Sequence, residues 1–133
     1  MNTLPKQIPI FPLRGVIFFP ETNLPLNIFE SRYLKMINDT LKNDKYLGMI
    51  QSKEIEGEVY KIGCLGKIDE HKKTEDGRIL INLKGINRFQ VDQEIKNNEL
   101  YREFSVNYEP FKNDINNDRV LVKNEKLKEL IDN

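Results

Sequence analysis

Histidine and cysteine are nearly missing from this chain of 133 residues, which has one of each, His71 and Cys64. A single cysteine closes no internal disulfide and builds no cysteine-rich zinc site, so the sequence fits a reducing compartment. Cys64 is flanked by Ile62, Gly63 and Leu65 with no cation adjoining it to lower its pKa, and it reads as a small core residue. His71 is the one candidate base for any serine-histidine or cysteine-histidine scheme, and its polar surroundings, running from His71 to Gly77, read as a solvated hairpin loop.

An excess of charge of either sign is also missing. Lysine plus arginine number 21, as do aspartate plus glutamate, and positions 1 to 66 carry eight basic and seven acidic residues. Nucleic-acid affinity rests on clustered cations that neutralise phosphates, so this balance disfavours a nucleic-acid partner while leaving room for a local patch. No apolar run approaches the roughly 18 residues that span a bilayer, and the polar start from Met1 to Gln7 is not followed by a signal-peptide core. The expectation is a cytoplasmic protein with no membrane partner.

Nucleotide fingerprints are absent too: there is neither a Gly-x-Gly-x-x-Gly stretch nor a Gly-Lys-Ser/Thr loop. Acidic neighbours such as Asp69-Glu70 and Glu75-Asp76 would point to opposite faces of a strand, and so make neither an acid-base pair nor a metal site. No cofactor, metal or catalytic residue is therefore expected.

What the chain does have is enough length for one core that buries roughly two-thirds of the unfolded surface. It is 38% hydrophobic and 32% charged, with a mean hydropathy of -0.59, the composition of a polar but folded domain. From Ile8 to Phe29, apolar clusters are broken by Pro9, Pro12, Gly15, Pro20 and Pro25, a density that forbids a helix. Two or three short, bent strands are expected there, with Ile8 to Leu13, Val16 to Phe19 and Leu24 to Phe29 as the candidates and the prolines at ends or on edges.

Tyr33, Met36, Ile37, Thr40 and Leu41 then share one face of a helix between Ser31 and Lys42, and Tyr46 to Ile50 reads as a buried strand. The even positions Tyr60, Ile62, Cys64 and Ile68 and the odd positions Ile79, Ile81, Leu83, Phe89 and Val91 give two long strands joined through Asp76-Gly77. Gly63, Gly66 and Gly85 interrupt them, as bulges or bends do in a closed or half-closed barrel. A strand from Glu103 to Tyr108 follows. A polar linker then leads to an amphipathic helix from Asp118 to Asn133, which docks on the barrel or opens a larger helical region.

Alternation leaves about half the side chains of the apolar run Val16-Ile17-Phe18-Phe19 off any one face, so the run is either buried on both faces, the favoured reading, or a candidate partner surface.

The blocks Ile8-Pro9-Ile10-Phe11-Pro12-Leu13, Phe19-Pro20 and Leu24-Pro25-Leu26-Asn27-Ile28-Phe29-Glu30-Ser31-Arg32-Tyr33 resemble the opening of the Lon protease N-terminal domain. Ile62-Gly63-Cys64-Leu65-Gly66 and Gly85-Ile86-Asn87-Arg88-Phe89 match in the same order, and the resemblance covers Ile8 to Phe111. It implies a mainly β (α+β) fold, a PUA-like bent pseudo-barrel with one internal helix. Residues 1–112 would form this domain, and 113–133 the linker and a C-terminal helix, either docked on the barrel or the first of a truncated bundle.

It further implies a non-catalytic domain that binds unfolded or tagged protein segments in connection with ATP-dependent proteolysis, with any cleavage belonging to another polypeptide or region. Unfolded or extended protein segments, and a protease or chaperone, are the implied partners. The sequence leaves the oligomeric state open. RNA binding is the alternative, since PUA-like barrels also occur in RNA-binding proteins.

Phe18, Phe19, Leu24 and Leu26 are the expected peptide-binding residues. Pro12, Pro20, Pro25, Phe29, Glu30, Arg32, Tyr33, Gly63, Gly66, Gly85, Arg88 and Phe89 are the expected structural ones. Glu30 and Arg32 beside the helix start read as hydrogen bonding and dipole compensation. Glu21 departs from the family's usual glycine. A small-ligand cage of tryptophans is excluded, because the chain has none.

Overall fold

The computed structural model describes residues 3–114, so the helix expected from Asp118 to Asn133 lies outside them. Six strands and one helix follow in the order β1 (Gln7–Leu13), β2 (Asn23–Ile28), α1 (Ser31–Lys42), β3 (Tyr46–Ser52), β4 (Val59–Lys73), β5 (Ile79–Ile95) and β6 (Arg102–Asn107). A single 3-10 turn, Glu109–Phe111, comes after β6. The mainly β fold with one internal helix is thus as the sequence implies.

Two expectations are corrected. Val16 to Phe19 is an irregular loop: only Phe18 of the four is buried, and Gly15 turns the chain out of β1 with φ +69°. His71 is not in a loop but on β4, paired with Ile81, and the connection shrinks to Thr74–Arg78 around Gly77 at φ +88°. Its exposed, charged residues imitate a loop in sequence because this end of the hairpin stands in solvent.

The strands lie in the order β2-β5-β4-β3-β1-β6, and β6 returns to pair with β5, which closes five strands into a ring. β1 and β3 run parallel, as a crossover through β2 and α1 requires. The closure depends on β5 bending. Its first half, Ile79 to Lys84, carries β2, whereas Gln90 to Ile95 carries β6, and β4 pairs along both halves. One-residue register slips sit at Leu65/Gly66, Ile68/Glu70 and Val91/Gln93, and such bulges supply the curvature.

The central sheet is buried on both faces. Adjacent residues therefore enter different cores: Met49 and Cys64 pack with α1 and β2, while Ile50 and Leu65 pack with Ile8, Ile10, Phe104, Val106 and Phe89. Glycines make the second core possible. A Cβ on Gly63 would lie 2.5 Å from the Met49 carbonyl oxygen and 2.6 Å from Phe89 Cζ, and one on Gly48 would lie 3.0 Å from the same ring carbon.

Helix α1 presents Tyr33, Met36, Ile37 and Thr40 inward, and the Thr40 hydroxyl donates to the Met36 carbonyl at 2.7 Å. Its outer side is fastened by Tyr101, whose hydroxyl donates to Asp39 at 2.6 Å, with Lys35 3.0 Å from the same carboxylate. The Tyr101 bond and then Lys35 hold the Asp39 carboxyl below the usual carboxylate range despite some burial. Tyr101→Phe should cost about 1.5 kcal/mol at neutral pH, the worth of a hydrogen bond to a charged group. Because the folded-state pKa of Asp39 is the depressed one, its contribution is present above the unfolded value near 4 and is lost as pH falls through the folded value. The gap between wild type and variant in urea unfolding should therefore narrow below about pH 4; a gap independent of pH would contradict this role for Tyr101.

Candidate functional site

The loop from Arg14 to Thr22 bridges β1 and β2 across the end of the sheet, and its own backbone bonds shape it. Thr22 Oγ1 donates to the Phe19 carbonyl at 2.7 Å and accepts from the Phe19 amide at 3.2 Å. Pro20 and Glu21 make the turn, with Glu21 in the left-handed region at φ +68°, a conformation that glycine adopts without strain. The loop's far end is zipped to β5: the Glu21 amide donates to the Gly85 carbonyl at 2.9 Å, and the Gly85 amide donates to the Thr22 carbonyl at 2.8 Å. Its near end is tied by the Gln51 side-chain amide, which donates to the Val16 carbonyl.

Between this loop and strands β3 and β4 lies a cleft of about 360 Å³, lined by Leu13, Gly15 to Phe19, Met49 to Gln51, Ile62 to Cys64 and Arg88. Phe18 closes its floor at 9% exposed, while Ile17 (72%), Ile62 (53%) and Phe19 (52%) are open to solvent. With Val16 at 36%, four apolar side chains are thus exposed around one depression, the usual mark of a surface that meets a partner. Burial pushes the Cys64 thiol up to about 12, so it is no nucleophile at the cleft floor.

Of the expected binding residues, the structure brings Phe18 and Phe19 to the cleft. It does not bring Leu24 and Leu26, which are half-buried on β2 and pack against the core beneath α1. Ile62, Met49, Gln51 and Arg88 join the cleft unforeseen. For Ile62 a signal existed: it shares a strand face with Cys64, and that face runs out of the core to Ile62 and the exposed Tyr60.

Among the expected structural residues, Pro12 pairs in register with Ile50, and Pro25 lies on β2 at the edge of the sheet. Phe29 is 66% exposed just past β2, and Glu30 occupies the helix N-cap without a side-chain cap bond, its carboxylate 3.4 Å from Arg32. Arg32 stacks 4.7 Å over Tyr33, whose ring packs 4.4 Å from Phe11. Gly66 lies against Leu83. Arg88 grips Asp114 with both ends of a fork, Nε at 3.0 Å and Nη2 at 2.9 Å, and lies 4.6 Å over Phe111. Packing contacts therefore run past residue 112 to Asp114.

Two larger depressions are less suited to a ligand. One of about 530 Å³ is lined by Asp39, Asp44 and Glu103, and each carboxylate already accepts a bond, from Tyr101, the Tyr46 amide and Asn97 respectively. The other, about 480 Å³, mixes Arg14, Arg32, Lys53 and Arg102 with Glu30, Glu56 and Glu58, and Arg102 is held by Glu94 through bonds of 3.0 and 2.8 Å. No group of three metal-ligating side chains gathers among the described residues, and no helix among them is long and apolar enough to cross a membrane.

The described residues thus form a bent, closed β barrel with an apolar cleft at the end of its sheet. Known proteins agree with that class of fold and narrow it. The model of the ATP-dependent protease La (LON) substrate-binding domain matches residues 7–133, and the chain belongs to this family. It is 35% identical over 98 residues to a Lon protease of Elusimicrobium minutum, covering 69% of this chain and 12% of that one. To a Lon protease of Flavobacterium johnsoniae it is 31% identical over 109 residues, covering 77% and 13%. The chain therefore spans about an eighth of the length of these curated relatives. Among solved structures, the Lon N-terminal domain protein from Xanthomonas campestris shares the fold, with a TM-score of 0.64, 24% identity and coverage of 77% of this chain and 59% of that one.

Proposed function

We propose that this domain recognises extended, unfolded protein segments for ATP-dependent proteolysis in the cytoplasm, seating their apolar side chains in the cleft under the Arg14–Thr22 loop. The observation that carries the reading is the ring of exposed Ile17, Phe19 and Ile62 around a depression whose lining, among the described residues, has one charged residue. Membership of a family described by substrate binding supports the same reading. Hydrolysis of ATP and cleavage of peptide belong, in this reading, to other modules of the machinery.

Anisotropy titration of labelled unfolded peptides should give micromolar-range binding. The double substitution Ile17→Ala, Phe19→Ala should weaken it about tenfold, equal to 1.4 kcal/mol, while changing stability by less than about 0.5 kcal/mol, since both side chains are exposed. Phe18→Ala should instead act on stability, because Phe18 is buried in the core. Failure to bind any peptide would overturn the proposal. Binding of RNA that weakens steeply with salt, without peptide affinity, would favour an RNA-binding module instead.

A further inference from the structure

Arg88 has a place at the cleft that its structural contacts do not exhaust. Among the described residues it is the one charged side chain lining the depression, and it is 40% exposed, whereas its partner Asp114 is 7% exposed. The carboxylate thus sits on the inner side of the pair and the guanidinium on the outer. A guanidinium carries five N–H donors. Asp114 takes two of them, one from Nε and one from Nη2, and neither hydrogen of Nη1 is engaged among the described residues.

The unspent edge is also held still. The fork to Asp114 fixes the plane, the Phe111 ring supports one face at 4.6 Å, and the Arg88 backbone amide adds a third bond to Asp114 at 3.0 Å. An arginine fixed in this way loses less entropy on pairing than a free surface lysine. Apolar walls with a fixed cationic edge suit a ligand that is apolar at one residue and anionic nearby.

We propose that Arg88 is the specificity residue of the cleft, selecting protein segments in which an acidic side chain flanks the apolar residues. The inference rests on the peptide-binding reading above and deepens it. An approaching carboxylate meets the more exposed guanidinium before the buried Asp114 carboxylate, so the attraction outweighs the repulsion.

The test uses two labelled peptides with the same Phe-Leu pair in a Gly-Ser spacer, flanked by Asp-Asp in one and Lys-Lys in the other, titrated against the full chain. The Asp peptide should bind about threefold more tightly at low salt, the worth of a half-exposed ion pair, and the preference should close as salt rises. R88Q should bind the two alike. Asp114→Asn keeps the arginine and removes its internal counter-charge, so it should widen the preference; it reports even where R88Q unfolds. Equal binding of the two peptides by wild type, or a preference unchanged in both variants, overturns the role of Arg88 and leaves peptide binding intact. Binding of neither peptide overturns the peptide-binding reading and this inference together.

Discussion

Phe89→Ala should lower stability by about 4 kcal/mol, a large fraction of the total for a domain of this size. Phe89 is fully buried, and it shares its core with only six other buried residues, Ile8, Ile10, Ile50, Leu65, Phe104 and Val106. Its ring reaches over Gly48 on β3 and Gly63 on β4, and with β5 itself, the β1 isoleucines and Phe104 and Val106 of β6, all five strands of the ring contribute to one core. Truncation removes the apolar transfer energy and leaves a cavity, because strands closed in a ring cannot easily collapse into it. Phe89→Leu, which refills much of the space, should cost less than half as much. Urea unfolding measures both; a Phe89→Ala loss below about 2 kcal/mol would show that the barrel relaxes in a way its closure argues against.

The second large effect is at Gly85. A Cβ there would overlap the Phe19 carbonyl oxygen, and that oxygen is backbone held by Thr22, so no flexible side chain can swing aside. Gly85→Ala should cost about 3 kcal/mol, at the upper end of what overpacking exacts. It should also push the Arg14–Thr22 loop off β5, breaking the paired bonds between Gly85 and the Glu21 and Thr22 backbone. Binding of apolar peptides should then fall together with stability, unlike the Ile17, Phe19 double variant, where it falls alone. Thermal unfolding alongside peptide titration separates the two patterns, and a Gly85→Ala protein with wild-type stability would refute the close approach.

Much of the fold was legible because the signals were periodic. The helix from Ser31 to Lys42 follows from Tyr33, Met36, Ile37, Thr40 and Leu41, and β5 from its odd-numbered buried positions. The failures have physical causes. Val16 to Phe19 has a strand's composition, yet the loop is shaped by Gly15, by a hydroxyl at Thr22 and by contacts to Gln51 and Gly85 that no local pattern displays. His71 to Lys73 reads as part of a loop because a hairpin tip exposed on both faces needs no apolar residue at all. The cleft was half visible. Phe18 and Phe19 announce themselves as a run, but Ile62 and Arg88 reach it from strands 43 to 70 positions further on, brought there by the closure of the sheet.

Among the described residues, that closure leaves few backbone edges free. β2 ends the sheet on one side and carries Pro25, which offers no amide to an incoming strand. On the other side β3 pairs with β4 only as far as Lys67, and beyond Ile68 the free edge reads Asp69, Glu70, His71, Lys72 and Lys73, all exposed. Charge and proline are the standard defences against edge-to-edge growth of sheets. A domain whose proposed work brings it repeatedly against sticky, extended chains is therefore built so that such a chain can lodge side chains without being templated into a fibre.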